Sequence, residues 1–75
     1  MFAFLLVMVD PDTEVVVGEK LEVLDKVKNI HIIKGEFDLI VKVEARDLLD
    51  LQNFIMDSIR PIKEIQRTDT LIVAQ

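Results

Sequence analysis

Residues 2–9 are apolar at every position, with Phe2, Phe4, Leu6 and Met8 on one alternating set and Ala3, Leu5, Val7 and Val9 on the other. Successive side chains of a strand point to opposite faces, so a run with neither set polar predicts a strand buried on both. Asp10 and Pro11 follow as an N-cap and first-turn pair, with Asp12 and Glu14 where the positive end of a helix dipole favours acid. A helix is therefore predicted to about Leu24, with Val17, Leu21 and Leu24 at i, i+4 and i+7 as its core stripe. Two features oppose it: Val15–Val17 is a β-branched run, and Gly18 costs about 1 kcal/mol relative to Ala. Without that helix, Val15–Val17 would pair back on the first strand across the Asp-Pro turn.

The middle of the chain is organised around Lys34-Gly35-Glu36-Phe37-Asp38, which joins two apolar runs. Strands are predicted over 28–34 and 37–44, the second alternating Phe37, Leu39, Val41 and Val43 against Asp38, Ile40, Lys42 and Glu44. Gly35 gives this hairpin a residue that takes positive φ cheaply. A second helix starts at Asp47 as N-cap, with Asp50 three residues on and Leu48, Leu51, Ile55 and Ile59 as the buried stripe. Pro61 stops it just after Arg60. A last strand runs from Ile62; its end, Leu71–Ala74, is apolar on both faces, but its middle, Gln66–Thr70, is polar on both.

The order strand, helix, strand, strand, helix, strand predicts an α+β fold of the ferredoxin-like, split βαβ (βαββαβ) type. Right-handed crossovers put both helices on one face of a four-stranded antiparallel sheet, with the first and third strands at its centre. The other face is left bare, and the doubly apolar first strand demands a cover for it. The simplest cover is a second copy packed sheet to sheet, a homodimer with dimeric α/β barrel-type association. Size points the same way: 75 residues make one domain, residues 1–75, too small for an ample core of its own. With no cysteine and one histidine, neither disulfides nor a conventional metal or haem site is available to staple it, so no cofactor is expected. The net charge of −5, with scattered Lys and Arg, lacks the footprint of direct nucleic-acid binding. The apolar opening has no basic flank or cleavage site and is too short to span a bilayer, so no membrane association is expected and the protein reads as cytoplasmic.

No catalytic residue stands out. His31 lies between isoleucines in a strand and is better read as structural or interfacial; Ser58 sits on the second helix with nothing to activate it. Glu19, Glu22 and Asp25 form a solvated face. Two features remain. The turn from Gly35 through Glu36 and Phe37 to Asp38 carries charge and backbone N–H groups that a tight turn need not pair internally, which suits a small polar ligand. Thr68 and Thr70 put two hydroxyls on one face of the last strand.

Together these residues carry a resemblance. The chain is similar to the effector-binding module of the Lrp/AsnC family of transcriptional regulators, as a stand-alone copy without a DNA-binding domain. It resembles the family in Ala3-Phe4-x-Leu6-Val7-x-Val9-x-Pro11, in Gly35-Glu36-Phe37-Asp38 followed by Leu39-Ile40-Val41-Lys42-Val43, in Ile59-Arg60, and in Thr68-x-Thr70 before the apolar terminus. The resemblance implies an amino-acid-binding regulatory module that dimerises through the sheet and assembles dimers into a ring. It places the effector site between dimers, at Gly35, Glu36, Phe37, Asp38, Thr68 and Thr70. Turn N–H groups would hold an α-carboxylate, Asp38 would accept from the ammonium, and the Thr hydroxyls would complete the shell. Mixed assembly with full-length family regulators is the implied route to a DNA partner. Three turns depart from the family pattern: Asp12 where Gly is common, Asp25-Lys26-Val27 for Pro-Gly-Val, and Ile62-Lys63 after Pro61. Two other readings stand beside this one: a purely structural assembly module, and a small dimeric ferredoxin-like monooxygenase, for which the aromatic and histidine content is poor.

Overall fold

The computed structural model describes residues 1–74. Four strands and two helices follow the predicted order: β1 (Phe2–Val9), α1 (Glu14–Glu22), β2 (Val27–Ile32), β3 (Leu39–Glu44), α2 (Leu48–Phe54), continued as a π-helical turn over Ile55–Ile59, and β4 (Ile65–Ile72). The sheet is antiparallel in the order β2-β3-β1-β4, so β1 and β3 are central. Among the described residues, no helix is long and apolar enough to cross a membrane.

Alternation sorts β1 by face. Ala3, Leu5, Val7 and Val9 are buried against Val17 and Leu21 of α1 and Leu51, Phe54 and Ile59 of the second helix, with Leu39, Val41 and Val43 of β3 beside them. The other set faces away from the helices, and there the expectation of burial on both faces is not met within one chain: Phe2 is 38% exposed and Phe4, Leu6 and Met8 are half-buried. With Ile40 and Leu71 on neighbouring strands in register with Leu6 and Phe4, they form an open apolar face.

α1 begins later than the sequence predicts. Asp10 stays with the sheet, its N–H bonded to the Glu64 carbonyl at 2.9 Å and its carboxylate accepting from Gln66 Nε2 at 2.9 Å. Asp12 turns the chain with φ at 65°, and Thr13 becomes the N-cap. The aspartate thus occupies a left-handed position that glycine would take more easily, which is the physical content of that departure from the family pattern. α2 starts as predicted: Asp47 Oδ1 accepts from the Asp50 N–H at 2.8 Å, and Asp50 Oδ2 reaches back to the Arg46 N–H at 2.9 Å. Lys26 joins this cap, its Nζ 3.0 Å from Asp50 Oδ2, so the substituted turn before β2 is tied to the start of α2.

Candidate functional site

The second helix runs towards the connection 61–64, and β4 returns antiparallel to it. Arg60, at the helix end, therefore lies at the same end of the molecule as the start of β4. Thr70 and Thr68 are in register with Leu5 and Val7, so their side chains share the helix-side face of the sheet. Because β4 is an edge strand, Thr68 and Thr70 border a groove whose other wall is the flank of the second helix. The result is a groove of about 360 Å³ lined by Gln52, Ile55, Met56, Arg60, Thr68 and Thr70. That size fits a metabolite-sized ligand, at the small end of pockets that hold one.

The groove has one formal charge. Among the described residues the Arg60 guanidinium makes neither an ion pair nor a hydrogen bond, whereas Lys20, Lys26, Arg46 and Arg67 each meet a carboxylate. Its floor is shaped by the π turn, in which the Arg60 N–H bonds to the Ile55 carbonyl at 2.9 Å. Such insertions re-aim side chains and recur at functional sites. The start of β4 is held by Lys20 Nζ, 2.8 Å from Glu64 Oε1, a bond that keeps the Glu64 carboxyl below its ordinary range.

Gly35, with φ at 141°, takes the turn conformation expected of it. Among the described residues Lys34, Gly35, Glu36 and Phe37 donate no backbone hydrogen bond, so this exposed run of N–H groups is open to a ligand. Asp38 is already engaged: its N–H bonds the Val7 carbonyl at 2.9 Å, and its Oδ2 accepts from the Val9 N–H at 2.8 Å. The Phe37 ring lies under the Arg67 guanidinium, 5.5 Å away. The hairpin tip and Thr68 thus converge on Val7, from opposite flanks of β1 and roughly 10 Å apart at two strand spacings. None of Gly35, Glu36, Phe37 and Asp38 lines the groove that holds Thr68 and Thr70.

Sequence reasoning missed the helical wall of that groove. Gln52, Met56 and Arg60 recur at i, i+4 and i+8, opposite Thr68-x-Thr70, and this spacing was the available signal. They escaped notice because an amide, a thioether and a guanidinium share no polarity that marks a face. Among the described residues, no three His, Cys, Asp or Glu side chains gather as a metal site would require.

The family model for the Lrp/AsnC ligand binding domain matches residues 2–75. An uncharacterized HTH-type transcriptional regulator of Pyrococcus abyssi is 34% identical over 73 residues, covering 93% of this chain and 49% of the relative. The chain spans about half the length of the curated relatives it matches. Among solved structures, a hypothetical protein from Pyrococcus horikoshii superimposes with a TM-score of 0.93 at 43% identity, over 99% of this chain and 89% of that one. Escherichia coli AsnC gives 0.94 at 32% identity, over 99% and 50%. A Neisseria meningitidis transcriptional regulator in complex with L-methionine shares the fold, with a TM-score of 0.90 at 17% identity, over 99% and 49%.

Proposed function

The chain belongs to the Lrp/AsnC family, matching its ligand-binding domain over residues 2–75, and on that premise we propose that it is an oligomeric module that binds an amino acid or a similarly small polar effector. The observation that carries this reading is the groove between the second helix and β4, where Thr68 and Thr70 stand beside an unpaired Arg60. Gly35, Glu36, Phe37 and Asp38 belong to the same site, contributed by a neighbouring copy. The free N–H groups of Gly35, Glu36 and Phe37 hold the α-carboxylate of a zwitterion, and the remaining oxygen of the Asp38 carboxylate accepts from its ammonium. A site divided between copies couples binding to assembly, because a ligand that bridges two chains favours the state in which they are joined. The L-methionine held by the Neisseria regulator supports the ligand class.

Assembly runs through the open sheet face first and a ring of dimers second. Because the curated relatives are HTH-type regulators of about twice this length, the module acts on transcription by mixed assembly with such proteins through the same surfaces. Affinity-tagged protein that recovers only itself from cells expressing a full-length family member would sink that route.

The test of binding is thermal unfolding followed by far-UV circular dichroism with each common amino acid in turn. A ligand at about 100 times its dissociation constant adds about 2.7 kcal/mol, a rise of several degrees for a chain of this size. Such a rise, lost in Thr68→Val and Thr70→Val, is expected. No response to any amino acid would favour a structural assembly module.

A further inference from the structure

We propose that the trough between α1 and the β2 edge is a docking surface for an amphipathic helix of a partner protein, one whose apolar stripe is flanked by Lys or Arg. This surface lies apart from the groove at β4, and the inference does not depend on the effector reading. Glu14, Gly18 and Glu22 recur at i, i+4 and i+8, with Val15 and Glu19 one row over, so they share one flank of α1. Ile30 and Ile32 of β2 complete a depression of about 270 Å³ with them. Beyond Glu22 it continues into a second depression of about 280 Å³, which shares Glu22 and Ile30 and reaches Val27 and Asn29. From Glu14 to Glu22 alone the trough runs roughly 12 Å, about two turns of a docked helix.

Two observations point to an occupant. The exposed lining is mostly apolar carbon, yet Val15 is 64% and Ile32 59% exposed, so the chain gathers apolar side chains there and leaves them wet. Gly18 is the second. Glycine is the poorest helix former after proline, and nothing in the fold requires it at this position. Its φ is not positive, and among the described residues nothing beyond its own helix backbone lies within 4 Å of where a Cβ would stand. A merely solvated helix face would be better served by alanine. A bare notch serves a neighbouring backbone that comes close.

Charge names the occupant. Among the described residues Glu14, Glu19 and Glu22 form no ion pair, whereas Lys20, on another row of α1, meets Glu64 and Lys26 meets Asp50. Lys28, at the far end of the trough, donates from Nζ to the Asp25 carbonyl at 3.0 Å. Lys34 follows two residues after Ile32. Against these two flanking cations stand three lining carboxylates and Asp25, so the surface is acidic. A second copy set face to face would bring like charges together, which selects against self-pairing here. A helix that covers Val15, Ile30 and Ile32 with its apolar stripe and meets the glutamates with cations satisfies both features.

The test is fluorescence anisotropy of the full chain in about 0.15 M salt. The probe is a labelled peptide of about 18 residues built from Leu and Lys, with Leu at i, i+3, i+4 and i+7. It is compared with a scramble of the same composition and with the same pattern carrying Glu for Lys. The patterned basic peptide should bind at least about tenfold more tightly than either. Gly18→Leu, which fills the notch, should weaken that binding at least about tenfold while raising the melting point, since leucine suits a helix better. Glu19→Gln with Glu22→Gln should weaken it at least about fivefold, whereas Asp12→Asn with Asp57→Asn, outside the trough, removes as much charge and should change it less than about twofold. Binding that ignores Gly18→Leu, that the scramble shares, or that falls equally in the two paired variants overturns the docking surface, as does no binding by the patterned peptide. A different sedimented mass for unliganded Gly18→Leu and wild type would assign the trough to contact between copies and overturn the partner.

Discussion

At the scale of single residues, two aspartates show how position outranks residue type. Asp38 belongs to the hairpin assigned to the ligand, yet its carboxylate already satisfies the Val9 N–H, whose residue is only 5% exposed. Asp38→Ala would leave that donor without a partner, at about 1–3 kcal/mol, whereas Asp38→Asn keeps an acceptor oxygen in place. In a chain this small, the alanine variant should therefore melt at least about 4 °C below the asparagine variant with no ligand present. Equal melting points would mean that the Val9 bond carries no weight. It follows that only Asp38→Asn is a clean probe of ligand contact here. Asp12 poses the opposite case, since φ at 65° strains any L residue and aspartate less than most. Asp12→Gly should be neutral or stabilising by about 0.5 kcal/mol, and Asp12→Val destabilising by about 1–2 kcal/mol, in urea denaturation.

At the scale of elements, the second helix combines a locally determined start with an end set by tertiary structure. Its first turn carries reciprocal bonds between Asp47, Asp50 and the Arg46 N–H, with Lys26 added from the turn before β2. The Arg46 N–H first, and Lys26 after it, pull the Asp50 carboxyl from 3.8 down to about 2. A depressed carboxylate stabilises the fold above its unfolded value and ceases to do so as pH falls through its folded one. The melting temperature should thus fall between pH 4 and pH 2, with Glu64 contributing in the same direction, and Asp50→Asn should be less stable at neutral pH but flatter across that window. A wild-type slope unchanged by the substitution would assign the acid sensitivity to other carboxylates. This start was legible because Asp47 and Asp50 have capping-box spacing, which is local chemistry. The π turn was not, since it answers to packing: Ile59 is fully buried while Met56, three residues earlier, faces the groove. The start of α1 was misread for a related reason. Asp10-Pro11 has the local form of a cap, but the long-range bonds to Glu64 and Gln66 keep Asp10 in the sheet. The Thr68-x-Thr70 wall of the groove was visible as a polar break in an apolar strand, and its helical wall was not.

At the scale of the molecule, the open sheet face is the feature on which the proposed dimer rests. Phe2, Phe4, Leu6, Met8, Ile40 and Leu71 share the open face of the sheet, flanked there by Lys42, Arg67 and Asp69, in a chain with 13 buried hydrophobic residues for its core. Soluble monomers seldom leave such a surface bare, and small domains need an added source of stability. One face of β1 is covered by the chain's own helices, and the proposed second copy would account for the apolar pattern of the other. A single-chain reading of periodicity gives the burial but not the owner of the covering atoms. Leu6 is suited to testing this, since it lies mid-strand on the open face, opposite Ile40 and Asp69, with its side chain outside the core. Leu6→Glu would place two carboxylates in a dehydrated interface while leaving the helix-side packing untouched. In sedimentation equilibrium the wild type should be a dimer or larger at micromolar concentration, and Leu6→Glu a monomer with a native far-UV spectrum. If the effector site is completed between copies, that monomer should also lose its thermal response to amino acids, although Arg60, Thr68 and Thr70 are intact. Retained response in a monomer would place the whole site within one chain, whereas a wild type that sediments as a monomer would remove the dimer itself.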